Sequence, residues 1–380
     1  MRRLHVLGWM ILVVAASSEP RARALVVVIG TLRGGPVAWR SLRDHVVDSL
    51  SGPRGDVKVA LLVGGARDDQ LARFRAQFAA GQVAHVWPVA ERDDWGDALE
   101  ALSARHGVSY RAWLARMAPG LRRAHQFLGG VAAAGHRGSA GILLALRWEL
   151  ADRLAELARS GERFEWLVVT RADFLYLCDH PDPGGWRRDA IHVPSAEGNG
   201  GVTDRHTLLP WDLARRALNV TFELIADPTF LGREFWDPDS LPKRPPKVNL
   251  EIVLRRYYEH AGLAVHKYEH TGFTVATRND ATRWRHPKFD VPELARLDLG
   301  VKYQFEFQQV KRNCGPRALG DACRAALRRG LPAADVRGGS QNATACGDAS
   351  EVVGCAPTRC QKGHFQRRCC EQAFPALPGI

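Results

Sequence analysis

The run Trp166-Leu-Val-Val-Thr170 places the firmest constraint on what this chain can fold into. Apolar and β-branched residues without polar alternation suit a strand buried on both faces, the condition of a central strand in a parallel sheet covered by helices. The run delivers Arg171 and Asp173, and Phe174 to Leu177 then resume the apolar character. Charge inside a hydrophobic segment needs a compensating partner, because burying it alone is expensive. Ligands of open α/β sheets bind in the crevice beyond the carboxyl ends of the strands. Arg171 and Asp173 are therefore candidates for contact with a charged substrate and with a metal.

The preceding chain supplies the rest of such a sheet. Ala24 to Gly30 reads as a buried strand, and Val37 to Leu50 as a helix with Trp39, Leu42, Val46, Val47 and Leu50 at helical spacing. Gly52-Pro-Arg-Gly55 breaks it and Asp56 to Val63 forms the next strand, which makes a βαβ unit with a parallel, right-handed crossover. The turn Thr31-Leu-Arg-Gly-Gly-Pro36 can cradle phosphate on its backbone amides, with Gly30 and Arg33 as candidate contacts. It carries neither Gly-x-Gly-x-x-Gly nor a P-loop lysine.

Helices are expected at 66–80, 97–106 and 110–127, and a strand at Val83 to Pro88. From Ser139 a helix repeats Leu143, Leu146, Leu150, Leu154 and Leu157, with Arg147 read as a snorkelling surface arginine. Beyond a strand at Ala190 to Pro194 comes the loop Glu197-Gly-Asn-Gly-Gly-Val-Thr-Asp-Arg205. Gly200 and Gly201 let a ligand approach the backbone, and Asp204 and Arg205 are candidate sugar or phosphate contacts. Helices at Pro210 to Leu218 and Val248 to Ala261 follow, the second with Glu251 in its first turn, and strands at Leu263 to Lys267 and Phe273 to Thr277 close the unit. The expected fold is α/β, a mostly parallel sheet flanked by helices in Rossmann-like fashion over residues 24–300, with a small Cys-rich module at 301–380.

The ends of the chain speak to compartment. Arg2 and Arg3 precede the apolar run Leu4 to Ala16, and small residues follow, the pattern of a signal peptide over residues 1–18. Left uncleaved, residues 4–16 are the only segment read as able to anchor the chain in a membrane. Seven of the eight cysteines lie between Cys314 and Cys370, which reads as a disulfide-stapled tail, with Cys178 either free or paired to it. Asn219-Val-Thr221 and Asn342-Ala-Thr344 are glycosylation sequons. Together these point to the secretory-pathway lumen, in ER or Golgi, or to secretion. The formal charge of +12 favours acidic partners, but Lys and Arg are interspersed with Asp and Glu rather than gathered in a tract, which argues against nucleic acid.

Four places carry a resemblance: Gly30-Thr-Leu-Arg-Gly-Gly35 with Ala38-Trp-Arg-Ser-Leu42, Trp87-Pro through Asp94-Trp-Gly96, Thr170-Arg-Ala-Asp173, and Gly200-Gly-Val-Thr-Asp-Arg205. In this order the chain resembles lumenal glycosyltransferases of the GT-A type, notably a group of algal and microbial proteins. The resemblance implies a nucleotide-sugar donor, a glycan or glycoprotein acceptor, and Mn or Mg held by an Asp-x-Asp motif that bridges the diphosphate. Here that triplet is Arg171-Ala-Asp173, so Asp173 alone remains as metal carboxylate and Arg171 is placed to take over phosphate contact. His266 and His270 are further metal candidates. The implied reaction is attack of an acceptor hydroxyl on the anomeric carbon, with Asp204 or Glu251 as base in an inverting enzyme. The alternative is a glycan-binding module of the same fold that performs no turnover.

Overall fold

The computed structural model describes residues 22–51, 56–92, 94–113, 115, 140–195, 198–232, 249–280 and 286–329. The leader at 1–18, the second sequon, most of the helix expected at 110–127 and the chain after Arg329 lie outside these residues.

In chain order the elements are β1 (Ala22–Gly30), α1 (Gly35–Leu42), a π-helical segment (Arg43–Val47), α2 (Asp48–Ser51), β2 (Val57–Gly64), α3 (Asp68–Arg75), β3 (Val83–Val89), α4 (Trp95–Ala104) and α5 (Ala140–Arg159). Then come β4 (Phe164–Thr170), β5 (Phe174–Tyr176), β6 (Ala190–Pro194), β7 (Thr207–Pro210), α6 (Trp211–Leu218), α7 (Val220–Ala226) and α8 (Leu250–His260). The described part ends with β8 (Ala264–Tyr268), β9 (Gly272–Ala276), α9 (Pro292–Ala295), β10 (Gly300–Val301), α10 (Gln304–Cys314) and α11 (Ala318–Arg328).

Seven strands form one sheet in the order β3-β2-β1-β4-β7-β6-β8. β1 pairs in parallel with both β2 and β4, β2 pairs in parallel with β3, and β6 in parallel with β8; β7 alone runs against its neighbours. The mostly parallel α/β fold expected from the apolar runs is therefore the one observed. Period-two alternation splits each central strand between two cores. Leu25, Val27 and Ile29 face one core with Ala60, Leu62, Leu167 and Val169. Ala24, Val26 and Val28 face the other with Val59, Leu61, Trp166 and Val168. The helix α5 covers the first core and α1 the second.

A smaller antiparallel sheet, β10-β9-β5, stands beside the carboxyl ends of the large one. Its strand β5 begins immediately after Asp173, so the charged pair marks the step between the two sheets. Residues 300–329 do not behave as a separate tail: Val301, Phe307, Val310, Leu319 and Ala326 are buried in the second core. The boundary expected at residue 300 is thus no break in the packing. A disulfide joins Cys178, just past β5, to Cys314 at the end of α10, which settles the partner of Cys178. The first sequon sits at the junction of α6 and α7, where Thr221 is buried and its hydroxyl donates to the carbonyl of Leu144. No described helix is long and apolar enough to cross a membrane.

Candidate functional site

The strand order reverses about β1: the chain goes outward from β1 to β2 and returns on its other side as β4. Ligands of doubly wound sheets bind at such a switch point, between the loops that leave the two strands. The loop after β1 carries Arg33, and the loop after β4 carries Arg171 and Asp173. Gly34 lets them meet. Its φ of 82° is left-handed, and a Cβ there would lie 3.0 Å from the Asp173 Cα and 3.1 Å from the Ala172 carbonyl.

Asp173 is 2% exposed and fully committed. Arg171 donates Nε to Oδ1 at 2.8 Å and Nη2 to Oδ2 at 2.6 Å, and Arg33 Nη2 lies 2.8 Å from the same Oδ2. Burial on its own would raise the carboxyl pKa, but the Arg171 and Arg33 guanidiniums hold it well below the usual carboxylate range. A divalent cation needs oxygen ligands that are not already neutralised. Asp173, clamped by two guanidiniums, does not fit that need, and no cluster of three His, Cys, Asp or Glu side chains suited to a metal occurs among the described residues. The carboxylate expected to hold Mn or Mg is thus already paired with two guanidiniums. The histidines do not supply one: His266 is exposed, and the buried His270 sits 3.3 Å from Glu306.

The phosphate cradle expected after β1 is also occupied from within. Asp280 Oδ2 accepts from the amides of Gly34 at 3.0 Å and Thr277 at 2.7 Å, which caps the start of α1 with a carboxylate. Gly30 has a left-handed φ of 104° and open space where a Cβ would be.

The opposite wall comes from the loop before β7 and the start of α8. Gly201 is pressed against the backbone of Glu251, where any Cβ would collide with its carbonyl, and Val202 N donates to that carbonyl at 2.9 Å. Gly201 thus packs against protein, and Gly200, with φ 87°, makes the turn. Asn199 Nδ2 donates to Glu251 Oε1 at 2.7 Å. Glu251 and Asp204 are both buried, and desolvation followed by the neighbouring Asp204 charge pushes the Glu251 carboxyl above its ordinary value. Beneath them Arg147 is not a surface arginine: it is 0% exposed and donates Nη2 to the Asp204 carbonyl at 3.3 Å.

Residues 302–306, which sequence reasoning placed in the tail, close the crevice. Lys302 is 7% exposed, and burial together with the Arg171 charge pushes its amine down to about 8. Arg205 stacks over the Tyr303 ring at 4.1 Å and donates Nη1 to Glu306 Oε1 at 3.2 Å. Glu306 is wholly buried, and its Oε2 accepts from the Thr274 amide at 2.8 Å. The helical pattern around 304–314 was the available signal, masked by the cysteines that follow it. Four basic side chains and two adjacent carboxylates thus converge at the switch point. A separate groove of 770 Å³ between α1 and α11 shares none of these residues.

No family model matches the chain, and no curated relative matches it in sequence. Among solved structures it is similar to mouse xyloside xylosyltransferase 1 in its apo form, at 9% identity and a TM-score of 0.33, covering 65% of this chain and 85% of that one. It is also similar to the galactosyltransferase LgtC in complex with donor and acceptor sugar analogs, at 10% identity and a TM-score of 0.30, covering 64% of this chain and 72% of that one. A structure of an active-site mutant of LgtC gives 11% identity and a TM-score of 0.31, with the same coverage of 64% and 72%. These are sugar-transferring enzymes, the class that the sequence motifs resemble.

Proposed function

We propose that this chain is a nucleotide-sugar-dependent glycosyltransferase in which basic side chains, rather than a divalent cation, neutralise the diphosphate. The observation that carries the reading is the composition of the switch-point crevice: Arg33, Arg171, Arg205 and Lys302 on one side, and the buried pair Asp204 and Glu251 on the other. Departure of a nucleoside diphosphate develops negative charge, and fixed cations in a site shielded from water stabilise it strongly. An acceptor hydroxyl must lose a proton as it attacks, and a carboxylate with a raised pKa is the better base for that step. Glu251 meets this requirement, with Asn199 fixing one of its oxygens. Asp204 is its partner, whose charge keeps Glu251 basic. The acceptor is a glycan or glycoprotein hydroxyl.

The cystine Cys178–Cys314 supports an oxidising compartment, hence the secretory lumen or beyond. Release of UDP or GDP from nucleotide sugars, measured in the presence of a chelator, tests the proposal. Turnover is expected to persist without metal, and Glu251→Gln is expected to lower it by about 10²–10⁴-fold. Turnover that vanishes on chelation and returns with Mn refutes the cationic mechanism. A chain that binds glycans but releases no nucleotide from any donor is the non-catalytic module of the same fold.

A further inference from the structure

The basic side chains of the crevice are not equivalent. Arg171 spends the Nε and Nη2 edge of its guanidinium on Asp173. The Arg205 side chain, in a residue 5% exposed, makes one hydrogen bond among the described residues, Nη1 to Glu306, which leaves its own Nε and Nη2 edge without an acceptor there. That edge is the planar fork that matches a phosphate or carboxylate in bidentate contact. Lys302 has no carboxylate within ion-pairing distance among the described residues, and its Nζ lies 5.6 Å from the centroid of the Tyr303 ring against which Arg205 also stacks. Two cationic heads with unspent donors therefore stand beside one aromatic ring at the mouth of the crevice. These donors are not among the buried atoms that lack a partner, so an anion can reach them, and charge-assisted contacts to it would be strong.

We infer that Arg205 and Lys302 are the residues that receive the anionic diphosphate, and that Arg171, locked to Asp173, is a positioning residue. The nucleotide-sugar identity of the ligand rests on the function proposed above; the anion site rests on this geometry alone. Glu306 is a second positioning residue. Its Oε1 accepts from Arg205 and approaches His270 Nε2, and its Oε2 is fixed by the Thr274 amide, so one end of the Arg205 guanidinium is held in place. The groups that act on Lys302 are Arg171, Arg33 and Arg205, which disfavour its charge, and Asp173, which favours it; Tyr303, whose hydroxyl burial pushes above its ordinary value, stays neutral. A bound diphosphate adds charge opposite in sign to the ammonium. Affinity should therefore be highest while Lys302 is protonated and fall as pH rises past about 8.

Titration calorimetry on the full chain with pyrophosphate, and separately with UDP and GDP, in the presence of chelator, tests this. Wild type is expected to bind pyrophosphate. Lys302→Met, and Arg205→Lys, which keeps the charge but loses the fork, are each expected to weaken it about tenfold or more, a loss of about 1.4 kcal/mol or more. Lys302→Arg is expected to bind as tightly as wild type and to lose the alkaline fall, which separates ligand contact from a mere structural role. Binding stoichiometry reports the folded fraction of each variant. Failure of wild type to bind pyrophosphate, or unchanged affinity in both Lys302→Met and Arg205→Lys, overturns the inference. Binding of pyrophosphate that depends on both residues but gains nothing from a nucleoside upholds the inference and removes the nucleotide-sugar reading instead.

Discussion

Acidification from about pH 7 to about pH 5 should destabilise this fold by several kcal/mol through a set of buried histidines. His180, His206 and His270 are all nearly inaccessible. Burial pushes His180 and His270 from 6.5 down to about 4, and His206 well below 6.5. The hydrogen bonds agree with neutral rings: His180 Nε2 meets Tyr268 Oη at 3.1 Å, and His206 Nδ1 lies among the hydroxyls of Tyr176 and Thr170 at 3.0 and 3.1 Å. In the unfolded chain these rings take up protons as pH falls through 6.5, whereas in the fold His180 and His270 do so only near 4 and His206 well below 6.5. Their contribution is therefore complete above 6.5 and is lost progressively below it. At about pH 5 His180 and His270 each contribute a loss of about 2 kcal/mol, so the two remove about 4 kcal/mol from a stability that is typically about 5–15 kcal/mol, and His206 adds to the loss in the same sense. Glu251, with its raised pKa, acts in the opposite sense and offsets part of this loss. Urea unfolding followed by tryptophan fluorescence at the two pH values measures it, and His180→Gln should reduce the difference by about 2 kcal/mol. A urea midpoint that does not move between the two pH values refutes the assignment of these rings as buried and neutral.

Replacing both Cys178 and Cys314 by Ser opens a loop of 136 residues, which on the chain-entropy account lowers stability by up to about 5 kcal/mol; thermal unfolding under non-reducing conditions should show the drop, and wild type in reductant should reproduce it. Asp173→Asn removes the carboxylate charge that Arg33 and Arg171 share and is expected to cost about 3–5 kcal/mol, far more than removal of a surface carboxylate. Denaturant titration measures that cost, and a loss below about 1 kcal/mol would deny Asp173 its structural role.

The sheet was legible because its signal is local. Leu25 to Ile29, Leu61 to Val63 and Trp166 to Val169 are continuous apolar runs, and a strand covered on both faces requires nothing else. Helix α8 could be read for a similar reason, since Asn249 caps it through its Oδ1 on the Ile252 amide and Tyr257 and Tyr258 bury one side. What escaped was set by long-range pairing. The strand β7 is four residues, Thr207 to Pro210, and its pairing with β4 and β6 makes it a strand. The strand β10 is two residues that exist because β9 lies beside them. Cysteine clustering drew attention from the apolar positions Phe307, Val310 and Leu319, which pack into the core.

The site divides along the same line. Sequence can mark Arg171, Asp173, Asp204, Arg205 and Glu251 as charges at strand ends, loops and helix starts, but it cannot say which charges spend themselves on each other. Asp173 sits two residues from Arg171, a spacing that allows a bidentate pair as readily as two independent ligand contacts, and Arg33 arriving from the β1 loop decides between them. Once that carboxylate is saturated, the residues with spare donors are those brought by the most distant stretch of chain, Lys302 beside Tyr303 and Arg205 on Glu306. The triplet Arg171-Ala-Asp173 therefore acts as a strut that ties the β4 loop to Arg33 of the β1 loop. Removing the strut should cost stability first, whereas removing Lys302 should cost anion affinity and leave the fold nearly as it was, because an unpaired buried amine does little to hold a protein together.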